Sequence, residues 1–246
     1  MSNIDVTETE QRPLTGSAAV VTGAGSGIGR AVAVALAREG MKILLVGRRE
    51  EPLRETARLA GQPLDLVTAD LATQKGITLV ANAAPPALRV LVHSAGIFHR
   101  GPVTSLSPAD WKAAAALNVH APMLLTVACV AKLGAARGDV VFVNSSVARQ
   151  PAGAGSAVYA ATKYALRAGA DALRQEVNSQ GIRVLSVFPG RTDTPMQAEV
   201  QKLEGRRIAP DRLLSPDDVA AAILAALRMP ARAEITEISI RPSRPP

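Results

Sequence analysis

The chain has 246 residues, 48% of them apolar, enough to bury one sizeable α/β core without division into smaller units. Its formal charge is +7, yet Lys and Arg are scattered and aromatic residues make up only 2%, which argues against a nucleic-acid surface and for a small anionic ligand. A single cysteine, Cys129, excludes a disulfide framework or a Cys-rich metal site and suits a reducing, cytoplasmic setting.

Residues 1–13 are polar and acidic, without the apolar core of a secretory signal or anchor, so a loose arm over residues 1–15 is expected. Further on, Arg, Lys, Asp or Gly interrupts each apolar stretch before the roughly 18 residues that a membrane span needs, and no membrane partner is expected. From Ser17 the segments SAAVVTG, AGSGIG and RAVAVALAREG read as strand, glycine turn and amphipathic helix, and residues 42–46 supply a second strand. Such a strand-helix-strand unit has parallel strands and a right-handed crossover.

The turn itself, Thr22-Gly23-Ala24-Gly25-Ser26-Gly27-Ile28-Gly29, sits where a strand ends and a helix begins. Glycines there let backbone approach a pyrophosphate, and the open N–H groups of the helix start favour its charge. Gly23, Ser26, Gly27, Ile28 and Gly29 are therefore candidate dinucleotide contacts. At the end of the second strand, where an NAD site usually carries a carboxylate for the ribose 2′-hydroxyl, the chain has Val46-Gly47-Arg48-Arg49. Two guanidiniums suit a 2′-phosphate, which favours NADP(H) over NAD(H). Glu50 and Glu51 read as solvated residues opening the next helix.

Short apolar runs at residues 64–68, 89–93, 139–144 and 183–188 read as further strands, and EITEISI near the end as the last. Helix-length spacing covers residues 108–133, where Pro122 bends or splits the helix, and 157–179, with Gly181 as its stop. Ser215 caps a helix that begins at SPDD, with Asp217 and Asp218 at its positive end. Strands alternating with helices predict a Rossmann-like, doubly wound parallel sheet of about seven strands, helices on both faces, as one domain over residues 16–246.

Tyr159 and Lys163 lie four residues apart, on one helix face. A free phenol titrates near pH 10, and a neighbouring ammonium favours the phenolate, which makes Tyr159 a candidate acid/base. Asn144-Ser145-Ser146 ends the fifth apolar run, at the sheet edge where ligands bind, and a hydroxyl there can reach a substrate oxygen.

On these residues the chain resembles the short-chain dehydrogenase/reductase family in its non-extended form, over roughly residues 16–196. TGAGSGIG is similar to the family's cofactor turn, Asp70-Leu71 to its adenine-side acidic position, and His93-Ser94-Ala95-Gly96 to its Asn-Asn-Ala-Gly segment. Asn118 resembles the active-site Asn, Ser146 the catalytic Ser thirteen residues before Tyr159, and Pro189, Gly190, Thr192 and Thr194 the nicotinamide-side loop. The resemblance implies hydride transfer between NADP(H) and a carbonyl or alcohol. It makes Tyr159 the proton donor, Ser146 the group that positions the substrate oxygen, Lys163 the ribose ligand, and Asn118 the holder of a relay water. A homodimer or homotetramer is also implied, with the two long helices pairing between subunits.

Two features depart from that pattern. His93 and Ser94 replace two asparagines, and EITEISIRPSRPP lacks the family's frequent glycine-rich ending. The ending is more similar to NADP-dependent enzymes acting on small hydroxy acids or hydroxy amino acids. Residues 191–214 read as a lid over the substrate, with Arg206 and Arg207 read as solvated charges ahead of the alternative, contacts to an acidic substrate. His99 and His120 lack partners and read as loop or interface residues, and Trp111 as packing. No ligand spacing points to a metal. A dinucleotide-binding regulator without turnover is the rival reading, disfavoured by the presence of Asn118, Ser146, Tyr159 and Lys163 together.

Overall fold

The seven apolar runs all enter one sheet, in a computed structural model that describes residues 12–244. The strands are β1 (Ala18–Thr22), β2 (Lys42–Gly47), β3 (Asp65–Thr68), β4 (Val90–His93), β5 (Asp139–Val143), β6 (Arg183–Pro189) and β7 (Glu237–Ile240). They run in the order 3-2-1-4-5-6-7, each parallel to its neighbours. Central strands covered on both faces need no polar alternation, which is why β4 and β5 are buried at every residue.

The helices are α1 (Gly27–Arg38), α2 (Glu50–Ala60), α3 (Gln74–Ala83), α4 (Pro108–Ala115), α5 (Ala121–Ala136), α6 (Ala157–Val177), α7 (Pro195–Leu203) and α8 (Pro216–Leu227). Leu36 of α1, Leu53 of α2 and Val219 and Ile223 of α8 pack on one sheet face, against Val21, Leu45 and Val92. Val80 of α3, Leu125 and Leu133 of α5 and Leu166 and Leu173 of α6 pack on the other, against Val20, Leu91 and Phe142. The strand order reverses between β1 and β4, so the chain leaves their carboxyl ends in opposite directions and opens a crevice there. At the opposite edge Arg183 donates to Asp139 (2.5 Å) and to the carbonyls of Met229 and Ala233, while Arg89 also pairs with Asp139, anchoring the α8–β7 connection.

The predicted helix over 108–133 is interrupted as Pro122 suggested, and it runs on to Ala136. Between α4 and α5 lies one π turn, Ala116–His120, in which the Ala121 N–H reaches back to Ala116 O. By length and composition the run Pro108–Ala136 could cross a membrane, contrary to the sequence reading. One face of it is seated on the sheet through Leu117, Leu125, Cys129 and Leu133. α6 stops at Val177, and after a short turn Gly181 takes φ +76°, the left-handed stop expected there. The segment read as a lid contains α7, capped by the Thr194 side chain with Pro195 as its first residue. Residues 1–11 of the expected arm lie outside the described residues; Arg12 N–H donates to Arg228 O and Leu14 is buried.

Candidate active site

The crevice begins as a close backbone fit. Thr22, at the end of β1, accepts hydrogen bonds at Oγ1 from the N–H groups of Ser94 (3.1 Å) and Ala95 (3.3 Å), tying the exit of β4 to that of β1. Gly23 has φ +66°, and a Cβ there would meet Ala95 N at 2.7 Å, so only glycine fits. Ser26 makes no side-chain cap bond, which leaves the first N–H groups of α1 open to an anion.

A cavity of about 280 Å³ extends from this turn, lined by Ser26, Gly27 and Ile28, by Arg48 and Arg49 at the end of β2, and by Leu71, Ser94 and Gly96. Among the described residues its lining contains no carboxylate. Asp70 stands outside, its Oδ1 accepting from Ala72 N (3.0 Å) while Ala69 and Leu71 face the cavity. A glycine cradle, open helix N–H groups and two guanidiniums fit a phosphorylated dinucleotide. Pro189, Gly190 and Thr192 line an adjoining cavity of about 430 Å³ instead, and Thr194 borders both.

Tyr159 also borders both cavities, with Asn144, Ile28 and Met196. Lys163, one helical turn on, is 5% exposed and donates from Nζ to Val143 O (3.0 Å). Burial lowers its pKa to about 8. Its ammonium stands 5.7 Å from the centre of the Tyr159 ring. Burial raises the phenol pKa, and the one group that draws it down is the Ser145 hydroxyl, rather than the Lys163 charge expected from the sequence. Phe98 packs edge-on against the ring, 4.9 Å between centres.

The hydroxyl that acts on the phenol in this way is that of Ser145, the neighbour of the expected Ser146. Ser145 is the first residue past Asn144 in extended backbone and Ser146 opens a short helical turn, Ser146–Arg149; both line the adjoining cavity beside Tyr159. Counting thirteen residues back from Tyr159 selects Ser146, which borders the same cavity as Tyr159.

Asn118 sits in the π turn, behind the cavity wall. Its Oδ1 accepts from Ile97 N (2.9 Å) and its Nδ2 donates to Ile97 O (2.9 Å) and Thr162 Oγ1 (3.1 Å). Both amide protons are therefore committed, and any water it holds must use other atoms. Four residues on, Pro122 has no N–H to return to its main-chain carbonyl, so the ordinary helical bond to that oxygen is not made. Four polar residues of the adjoining cavity, Arg100, Arg191, Gln197 and Glu204, were not singled out from sequence. Arg191, Gln197 and Glu204 fall in the segment read as a lid and Arg100 in a distant one, and no local pattern joins the two.

Three comparisons bear on this geometry. The family model described as short chain dehydrogenase matches residues 17–205. The glycine betaine reductase ATRR of Emericella nidulans is 35% identical over 246 residues; the match covers 95% of this chain and only 19% of that longer protein. An uncharacterised oxidoreductase of Staphylococcus epidermidis is 32% identical over 228 residues, covering 91% of this chain and 96% of its own. Among solved structures, a short chain dehydrogenase from Burkholderia cenocepacia in complex with NADP superposes with a TM-score of 0.81 at 28% identity, covering 94% of this chain and 98% of that one.

Proposed function

The chain belongs to the short-chain dehydrogenase/reductase family, and we propose that it is an NADP(H)-dependent oxidoreductase that interconverts a carbonyl compound and its alcohol. One observation carries this reading: Tyr159 stands on the wall between a cavity fit for a phosphorylated dinucleotide, lined by no carboxylate among the described residues, and a second cavity able to take a small substrate. The NADP bound to the Burkholderia relative supports the cofactor. The paired guanidiniums of Arg48 and Arg49 support the phosphorylated form.

When bound, NADPH supplies the hydride that the carbonyl carbon receives. Tyr159 gives its phenolic proton to the carbonyl oxygen, and takes it back from the alcohol in the reverse direction. Ser145 donates to that oxygen and orients it, the role expected of Ser146 from the residue count. Lys163, held by Val143 O, binds ribose hydroxyls and keeps a positive charge beside the phenol. The Asn118 carbonyl, freed by Pro122, holds a water that returns protons to Tyr159, while the Asn118 carboxamide pins the Ile97 backbone.

The test is NADPH consumption by three variants against a carbonyl panel. Tyr159→Phe is expected to lose roughly 10²- to 10⁴-fold in kcat with NADPH binding retained. Ser145→Ala is expected to lose about 10²-fold and Ser146→Ala much less. An active Tyr159→Phe enzyme overturns the acid/base role, and a more damaging Ser146→Ala restores the serine role to position 146.

A further inference from the structure

The second cavity carries an excess of hydrogen-bond donors that the reaction at Tyr159 does not use. Three guanidiniums border it, those of Arg100, Arg191 and Arg241, against one carboxylate, Glu204. Arg100 Nη1 lies 3.2 Å from Glu204 Oε1, and Arg191 Nη2 lies 3.0 Å from the same oxygen. Arg191 Nη1 lies 3.0 Å from Glu204 Oε2, yet it is buried without an aligned acceptor. Gln197, on the first turn of α7, is 9% exposed, and its Nε2 is buried with no hydrogen-bond partner among the described residues. An unpartnered buried donor is costly unless something else accepts from it.

The ionic balance narrows what that acceptor is. Inside the cavity Arg100 and Arg191 oppose Glu204, which leaves one net positive charge, and Gln197 adds a neutral donor. Arg241 stands exposed at the rim. Glu204 remains ionised, its carboxyl held below the usual range chiefly by the hydrogen bond from Arg191. One surplus positive charge with an adjacent amide N–H matches a monoanion. A phosphate dianion would leave charge uncompensated, and a cationic substrate would be repelled. Apolar Phe98, Val147 and Val200 line the same cavity.

We propose that the substrate is a carbonyl compound bearing a carboxylate, an oxo acid reduced to a hydroxy acid, whose carboxylate is bound by Arg191, Arg100 and Gln197. The inference rests on the oxidoreductase reading for its reaction, and on the cavity's donors for its substrate class. Electrostatic complementarity of this kind gives specificity through the charge that the wrong substrate lacks.

The experiment is a ladder of oxo acids (3-oxobutanoate, 4-oxopentanoate, 5-oxohexanoate), each paired with its methyl ester, with a quaternary ammonium aldehyde as the cationic control. Turnover is read as NADPH consumption by the purified full-length chain. At least one acid is expected to exceed its ester by about tenfold or more in kcat/KM, as loss of a charge-assisted hydrogen bond implies. Gln197→Leu and Arg191→Met are expected to lower that acid-to-ester ratio, chiefly through KM. The wild-type ladder stands even if a variant fails to fold. Esters or the cationic aldehyde turned over as well as the acids would overturn the substrate class and leave the oxidoreductase reading intact. If nothing is turned over, thermal shifts with NADP⁺ present decide: stabilisation by acids and not by esters upholds the anionic site while the redox reading fails, and no stabilisation by either overturns both.

Discussion

His93 stands where the family pattern has asparagine, and its surroundings fix its protonation. The ring is buried, stacked on Phe142 at 5.1 Å between centres, with Nε2 2.8 Å from Thr126 Oγ1. Thr126 spends its own hydroxyl proton on Pro122 O (2.8 Å), so its oxygen accepts and His93 Nε2 carries the hydrogen. Burial lowers the His93 pKa to about 3, from an ordinary 6.5. Between those values the unfolded chain binds a proton that the folded chain refuses, so stability falls as pH drops through the window. From pH 7 to pH 5 the loss attributable to this ring is about 2 kcal/mol. Denaturant unfolding at both pH values is expected to show His93→Asn losing less than wild type by about that amount; equal losses would mean that the buried ring is not the source.

At the scale of elements, the strands were legible because their burial is two-sided: an unbroken apolar run such as Val140 to Val143 has no surface alternation to obscure it. Edge elements were blurred, since β3 and β7 are only half-buried, and each begins later than its apolar run. α7 was read as loop although Thr194 before Pro195 is a helix-start signal, because its QAEVQKL face is mixed and its neighbours suggested a lid. The π turn was invisible. Pro122 announced a break, but only the packing of Asn118 against Ile97 shows its form. At the end of β2, Arg48 and Arg49 are adjacent in sequence after Gly47, and both border the first cavity. Replacing both arginines by alanine is expected to lower kcat/KM for NADPH roughly 10- to 100-fold while changing that for NADH only a few-fold, since a charge-assisted contact to the 2′-phosphate exists for one cofactor alone. Parallel losses with both cofactors would remove the 2′-phosphate role and with it the NADP preference.

At the scale of the whole molecule, one flank is left apolar. α5 exposes Leu124 and Val127, α4 exposes Trp111, and α6 exposes Tyr164 beside a run of alanines at 161, 165, 168 and 172. The small side chains let a second helix approach closely, and the exposed apolar ones gain by being covered. We therefore expect a homodimer or homotetramer built on this flank, with a light-scattering mass of two or four times 25.5 kDa. Val127→Asp with Ala168→Asp would place charge in the contact and is expected to yield monomers. Because α6 carries Tyr159 and Lys163 on its inner face and Tyr164 and Ala168 on its outer one, docking of the outer face would hold the inner one in register. The double variant should then lose turnover as well as mass. A wild-type chain that scatters as a monomer at micromolar concentration and remains fully active would show that α6 needs no partner to position its tyrosine.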